Sequence, residues 1–162
     1  MPEKTSNDLK QNIEKIIELF QKGHLKDSLD QSNKLIEKEK NSPFLFNLNA
    51  LININLKNWK NAKNSLDKAI SINKEYVEAY NNLGIVYNNL GDLDKAVEKF
   101  SKSIKLKSDY ANGYNNLGSV YDDLGNYEKA IVNYSKALDI NPKLVEAQNN
   151  LIHILNYYLP KN

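Results

Sequence analysis

Apolar side chains recur at three- and four-residue steps through most of this chain, a spacing that gathers them on one face of a helix rather than alternating them across a strand. From Ala79 onward, Tyr80, Leu83, Gly84, Tyr87 and Leu90 fall on one such face. Gly91 breaks the run. Leu93, Ala96, Val97, Phe100, Ile104 and Leu106 then mark a second helix of the same period, with Asp92 placed to cap its first turn. The pattern predicts a helix hairpin, and it returns 34 residues later: AYNNLGIVYNNLGDLDKAVEKF begins at Ala79 and GYNNLGSVYDDLGNYEKAIVNY at Gly113. Tyr80 and Tyr114, Leu83 and Leu117, Gly84 and Gly118, Tyr87 and Tyr121, Gly91 and Gly125, Ala96 and Ala130, and Phe100 and Tyr134 all obey that offset.

The small residues have a mechanical reading. Gly84, Gly118, Ala96 and Ala130 stand where neighbouring backbones must come close, and Tyr and Phe fill the space opposite. One hairpin cannot bury such a face alone, so successive hairpins must stack into a continuous core. The series Tyr80, Leu83, Gly84, Tyr87, Ala96 and Phe100, followed by Ala137 and Pro142 in the next unit, resembles the tetratricopeptide repeat. Ser103 and Ser108 depart from that pattern, replacing a small apolar residue and a proline. The resemblance implies an all-α fold, a right-handed superhelical solenoid of antiparallel helix hairpins.

In these terms the chain divides into a flexible N-terminus (1–8), a degenerate capping hairpin (9–42), a degenerate repeat (43–76), two well-matched repeats (77–110 and 111–144), a C-terminal helix (145–159) and a short tail (160–162). In the degenerate repeat Phe46, Ala50, Ala62, Leu66 and Ala69 keep register, whereas Asn49 and Asn53 occupy normally apolar positions. Pro160 is expected to stop the last helix.

Family resemblance also implies that first helices line a concave groove in which ligands lie. On that face the repeat step connects Asn47, Asn81, Asn115 and Asn149, and the adjacent register connects Asn82, Asn116 and Asn150, failing at Leu48. An Asn amide both donates and accepts, so a ladder of them can pair with the backbone of an extended peptide. The second register resembles the asparagine ladder of the repeats in the O-linked N-acetylglucosamine transferase. Two readings stand: a peptide-binding ladder, or solvated surface in an Asn-rich chain. Ser119, Asp122, Asp123 and His153 are expected on the same face, the aspartates making one end acidic.

Charge narrows the partner. With 22 basic and 20 acidic residues there is no global field to collect nucleic acid or an anionic membrane, and neither is expected as a partner. All the basic residues are Lys, so the bidentate fork of Arg is missing. The carboxylate clamp known in this family requires Lys or Arg on the concave face, where this chain has Asn47, Glu78, Asn112 and Asn116. Binding of acidic chaperone tails is therefore disfavoured. Lys95, Lys99, Lys102 and Lys105 instead read as a solvated outer wall.

No cysteine is present, no apolar run approaches a membrane span, and the polar start lacks a signal-peptide pattern, so a cytoplasmic setting is expected. No catalytic, cofactor-binding or metal-binding residues are expected. His24 and His153 lie far apart in the array, and no phosphate loop, dinucleotide glycine motif or HExxH pair occurs. Trp59 reads as a plug between helices.

The reading is a scaffold, not an enzyme, binding a protein or extended peptide. The alternative is an N-terminal recognition module of a larger enzyme such as a glycosyltransferase or sulfotransferase. Leu151, Ile152, Ile154, Leu155, Tyr157, Tyr158 and Leu159 spread apolar groups around the last helix, so self-association or a downstream domain is expected through it.

Overall fold

The computed structural model describes residues 2–158, with side chains from Asp8 onward. Among these residues there are nine helices and no strand: α1 (Pro2–Gln21), α2 (Leu25–Lys38), α3 (Pro43–Asn55), α4 (Trp59–Ile72), α5 (Val77–Asn89), α6 (Leu93–Leu106), α7 (Ala111–Asp123), α8 (Tyr127–Ile140) and α9 (Val145–Tyr157). α1 begins at Pro2, inside the stretch 1–8 read from sequence as a flexible N-terminus. Leu159 and Pro160 lie outside the described residues.

The helix boundaries follow from capping and turn chemistry. Asp92 accepts a hydrogen bond from the Lys95 backbone N–H at the start of α6, and Asn126 accepts one from Lys129 at the start of α8. Gly91 and Gly125 take φ of 77° and 71° in the turns that precede, a left-handed conformation that suits glycine. One repeat earlier Lys57 adopts the same hand, with φ 58°, despite its Cβ.

The chain forms two compact units, residues 1–82 and 83–162. In the first, Ile16, Leu35, Leu45, Leu48 and Ile52 form the apolar core, with Leu9, Ile13 and Phe20 packed on it. A second, polar core lies beside it. Asn49 Nδ2 donates to Asn33 Oδ1 at 2.8 Å and to Ser32 Oγ at 3.2 Å, while Asn49 Oδ1 accepts from Ser65 Oγ at 2.8 Å and from Asn53 Nδ2 at 3.0 Å. Burying an unpaired amide costs on the order of 1–3 kcal/mol, and this network avoids most of that cost.

In the second unit, Ala96, Phe100, Leu117 and Val120 form one cluster and Ala130, Tyr134 and Ile154 another. The glycines do what their spacing implied. A Cβ on Gly84 would lie 2.6 Å from Phe100 Cε1, and one on Gly118 would lie 2.8 Å from Tyr134 Cδ1. α9 packs on this unit through Ala147 and Ile154, which are fully buried.

Candidate peptide-binding face

α3, α5, α7 and α9 carry the predicted site residues. In the first unit Asn47, Asn81 and Asn82 are only 6%, 5% and 7% exposed, more covered than a solvent-facing ladder would be. The reason is local pairing: Asn82 Nδ2 donates to Asn47 Oδ1 at 2.9 Å, across a separation of 35 residues. The nearby Tyr76 phenol has its pKa raised, chiefly by burial and then by the Glu78 carboxylate, with Asn47 working against the shift.

In the second unit the arrangement recurs more openly. Asn150 Nδ2 donates to Asn115 Oδ1 at 3.4 Å, a longer contact with the same 35-residue separation. Asn115, Asn116, Asn150 and Ser119 are half-buried, while Asn149, Asp123 and His153 are exposed. The structure thus pairs Asn47 with Asn82 and Asn115 with Asn150. Asn81 and Asn116 also have interaction partners. A carboxamide has two donor hydrogens and an acceptor oxygen with two lone pairs, so one such bond leaves capacity for a ligand wherever the group is reachable.

Around His153 lie groups that the spacing argument did not bring together. Its ring centroid is 5.0 Å from that of Tyr157 and 5.7 Å from that of Tyr158, and Tyr158 stacks on Tyr127 at 4.1 Å. Desolvation raises the Asp122 pKa, partly opposed by His153 and reinforced by Asp123. Burial likewise pushes the Tyr134 phenol up to about 12, although a hydrogen bond with Ser119 works against it. Asn88, one repeat before Asp122, has a buried Oδ1 without a hydrogen-bond partner. The aromatic run at the chain's end was the signal for the Tyr cluster; nothing in the sequence marked Asn88 apart from its neighbours.

Lysine is missing from the helices that carry the predicted site residues. α3, α5, α7 and α9 contain no Lys, and their charged residues are Glu78, Asp122, Asp123 and Glu146. α6 alone carries Lys95, Lys99, Lys102 and Lys105. Among the described residues no group of three or more His, Asp or Glu side chains is placed to hold a metal ion, and no helix is long and apolar enough to cross a membrane.

Family models described as tetratricopeptide repeat or TPR repeat match residues 46–76, 65–98, 86–124 and 111–144, the first and last of these coinciding with the α3–α4 and α7–α8 hairpins. The chain belongs to the tetratricopeptide repeat family. Similar solved structures include MamA, with 25% identity over 87% of this chain and 82% of that one and a TM-score of 0.75. PilF of Pseudomonas aeruginosa aligns with a TM-score of 0.84 at 16% identity, covering 93% of this chain and 69% of that one. The first repeat domain of Spaghetti (RPAP3), bound to the HSP90 peptide SRMEEVD, aligns with a TM-score of 0.68 at 18% identity over 71% and 91% of the two chains. These likenesses establish the tetratricopeptide solenoid as the fold class. No curated protein sequence matches the chain.

Proposed function

We propose that this tetratricopeptide protein is a protein-interaction scaffold, not an enzyme, and that its first helices hold an extended peptide segment of a partner. The observation that carries the reading is the partition of side chains: amides at repeat spacing on α3, α5, α7 and α9, with lysine kept to other helices and the connecting turns. Amides suit a peptide backbone, which offers N–H and C=O at regular intervals. The acidic residues on these helices, Glu78 in the first unit and Asp122, Asp123 and Glu146 in the second, favour a neutral or basic segment over an acidic one. The peptide seen on the RPAP3 domain ends in Glu-Glu-Val-Asp, and this chain offers such a ligand no Lys or Arg on its first helices from α3 onward.

The test uses exposed positions, so that binding and folding separate. Asn149→Ala, Asp123→Ala and His153→Ala together remove three exposed side chains from one unit. A peptide selected from a random library against the parent chain is expected to lose about tenfold or more in affinity, roughly 1.4 kcal/mol, at unchanged helicity. Equal affinity for parent and variant would overturn this assignment of the face.

A second contact is supported by α9. Val145, Ile152 and Leu155 are 58%, 55% and 44% exposed, leaving apolar area that another copy of the chain or a following domain would cover.

A further inference from the structure

Asn53 stands one repeat before Tyr87, and Asn49 one repeat before Leu83. In the later hairpins the tyrosines at this position, Tyr87 and Tyr121, pack on the apolar clusters. A carboxamide is much smaller than a phenol ring. Beside Asn53 a recess of about 200 Å³ opens among α2, α3 and α4, lined by Leu29, Asn33, Asn49, Asn53, Asn61, Asn64 and Ser65.

Its floor is fixed and its rim is reachable. Asn49 and Asn53 are 4% and 2% exposed. Asn49 uses both amide hydrogens and both carbonyl lone pairs on Asn33, Ser32, Asn53 and Ser65, so the floor has no slack with which to rearrange. Asn33, Asn61 and Asn64 are exposed at the edge and present further amides.

The lining selects by chemistry. No charged side chain contributes to it, so an ionic group would give up hydration without meeting a counter-charge. An apolar group would cover the rim amides of Asn61 and Asn64 without pairing them, and Leu29 is the only apolar wall. No aromatic ring is present to support the flat face of a sugar. The matching group is small, uncharged and carries donor and acceptor side by side. We propose that this recess binds a carboxamide, the side chain of a Gln or Asn presented by a partner protein, at a place separate from the first-helix face. The Asn49–Asn33 bond already shows one such amide pairing within the wall.

The test follows the side-chain NH₂ resonances of Asn33, Asn61 and Asn64 in the isotope-labelled full chain as N-acetyl-glutamine N-methylamide is added. Saturable shifts are expected with this probe and not with N-acetyl-leucine N-methylamide, which lacks a primary carboxamide, or with glucose. Asn61→Ala with Asn64→Ala should weaken the apparent affinity by about tenfold or more at unchanged helicity. Asn53→Tyr, which puts the later repeats' ring back, should abolish the shifts. Shifts that never saturate, equal shifts with the leucine probe or with glucose, or full binding by the Asn61/Asn64 double variant would each overturn the proposal.

Discussion

Gly84 shows how much a single missing atom matters. Its Cβ would fall within 2.6–2.9 Å of three ring carbons of Phe100. Overpacking of that kind costs typically about 1–3 kcal/mol, against the roughly 1 kcal/mol that alanine gains over glycine in a helix interior. Gly84→Ala is therefore expected to lower the urea midpoint; a midpoint equal to or above the parent's would mean that the ring swings aside. Tyr134, packed on Gly118, gives a prediction in pH. Its folded pKa of about 12 lies above the ordinary tyrosine value near 10, so the fold favours the neutral phenol. The stability this contributes is complete below about pH 10 and is lost as pH rises through about 12, because the unfolded chain ionises first. Tyr134→Phe, the residue found at the matching position 100, should flatten the stability loss across that window in thermal melts.

Among the elements, the hairpins of the two well-matched repeats were legible because every signal agreed: period, glycine turn, capping residue and small positions opposite aromatic ones. The turn at Lys57 was harder to read, since it keeps the left-handed conformation without glycine. The site residues were legible as a register and not as pairs. Asn82 reaches Asn47 across 35 residues, one more than the repeat, so the partner of each amide depends on how adjacent first helices slide past one another. Asn49 and Asn53 could be seen as polar in a core, but their partners Ser32, Asn33 and Ser65 come from two other helices. That network separates two substitutions. Asn49→Ala strands several buried groups and should cost about 2 kcal/mol or more. Asn49→Leu combined with Asn53→Tyr, which copies the next repeat, should cost less than Asn49→Ala alone in chemical denaturation. A double variant less stable than Asn49→Ala would show that the amides contribute more than they cost.

For the whole molecule the informative end is α9. Ile152 stands one repeat after Gly118, where α7 leaves room for the Tyr134 ring. An isoleucine stands at that place in α9, so a helix packing on it as α8 packs on α7 would meet a branched side chain where Gly118 leaves room. Burying a Leu or Ile fully is worth about 1.5–3 kcal/mol, and covering the exposed halves of Ile152 and Leu155 favours association through this helix. Sedimentation equilibrium is expected to show concentration-dependent association of the parent chain, and Ile152→Ser with Leu155→Ser should return it to monomer. A parent that stays monomeric at every concentration would overturn self-association through α9. The placement of lysine has a practical consequence of another kind. Because α3, α5, α7 and α9 contain none, acetylation, ubiquitin transfer and amine-reactive tags must all fall on other helices and turns. A chain immobilised on a sensor surface through its amines therefore carries no anchor on those four helices, and any cellular control of the proposed contact has to act through the partner or through residues other than lysine there.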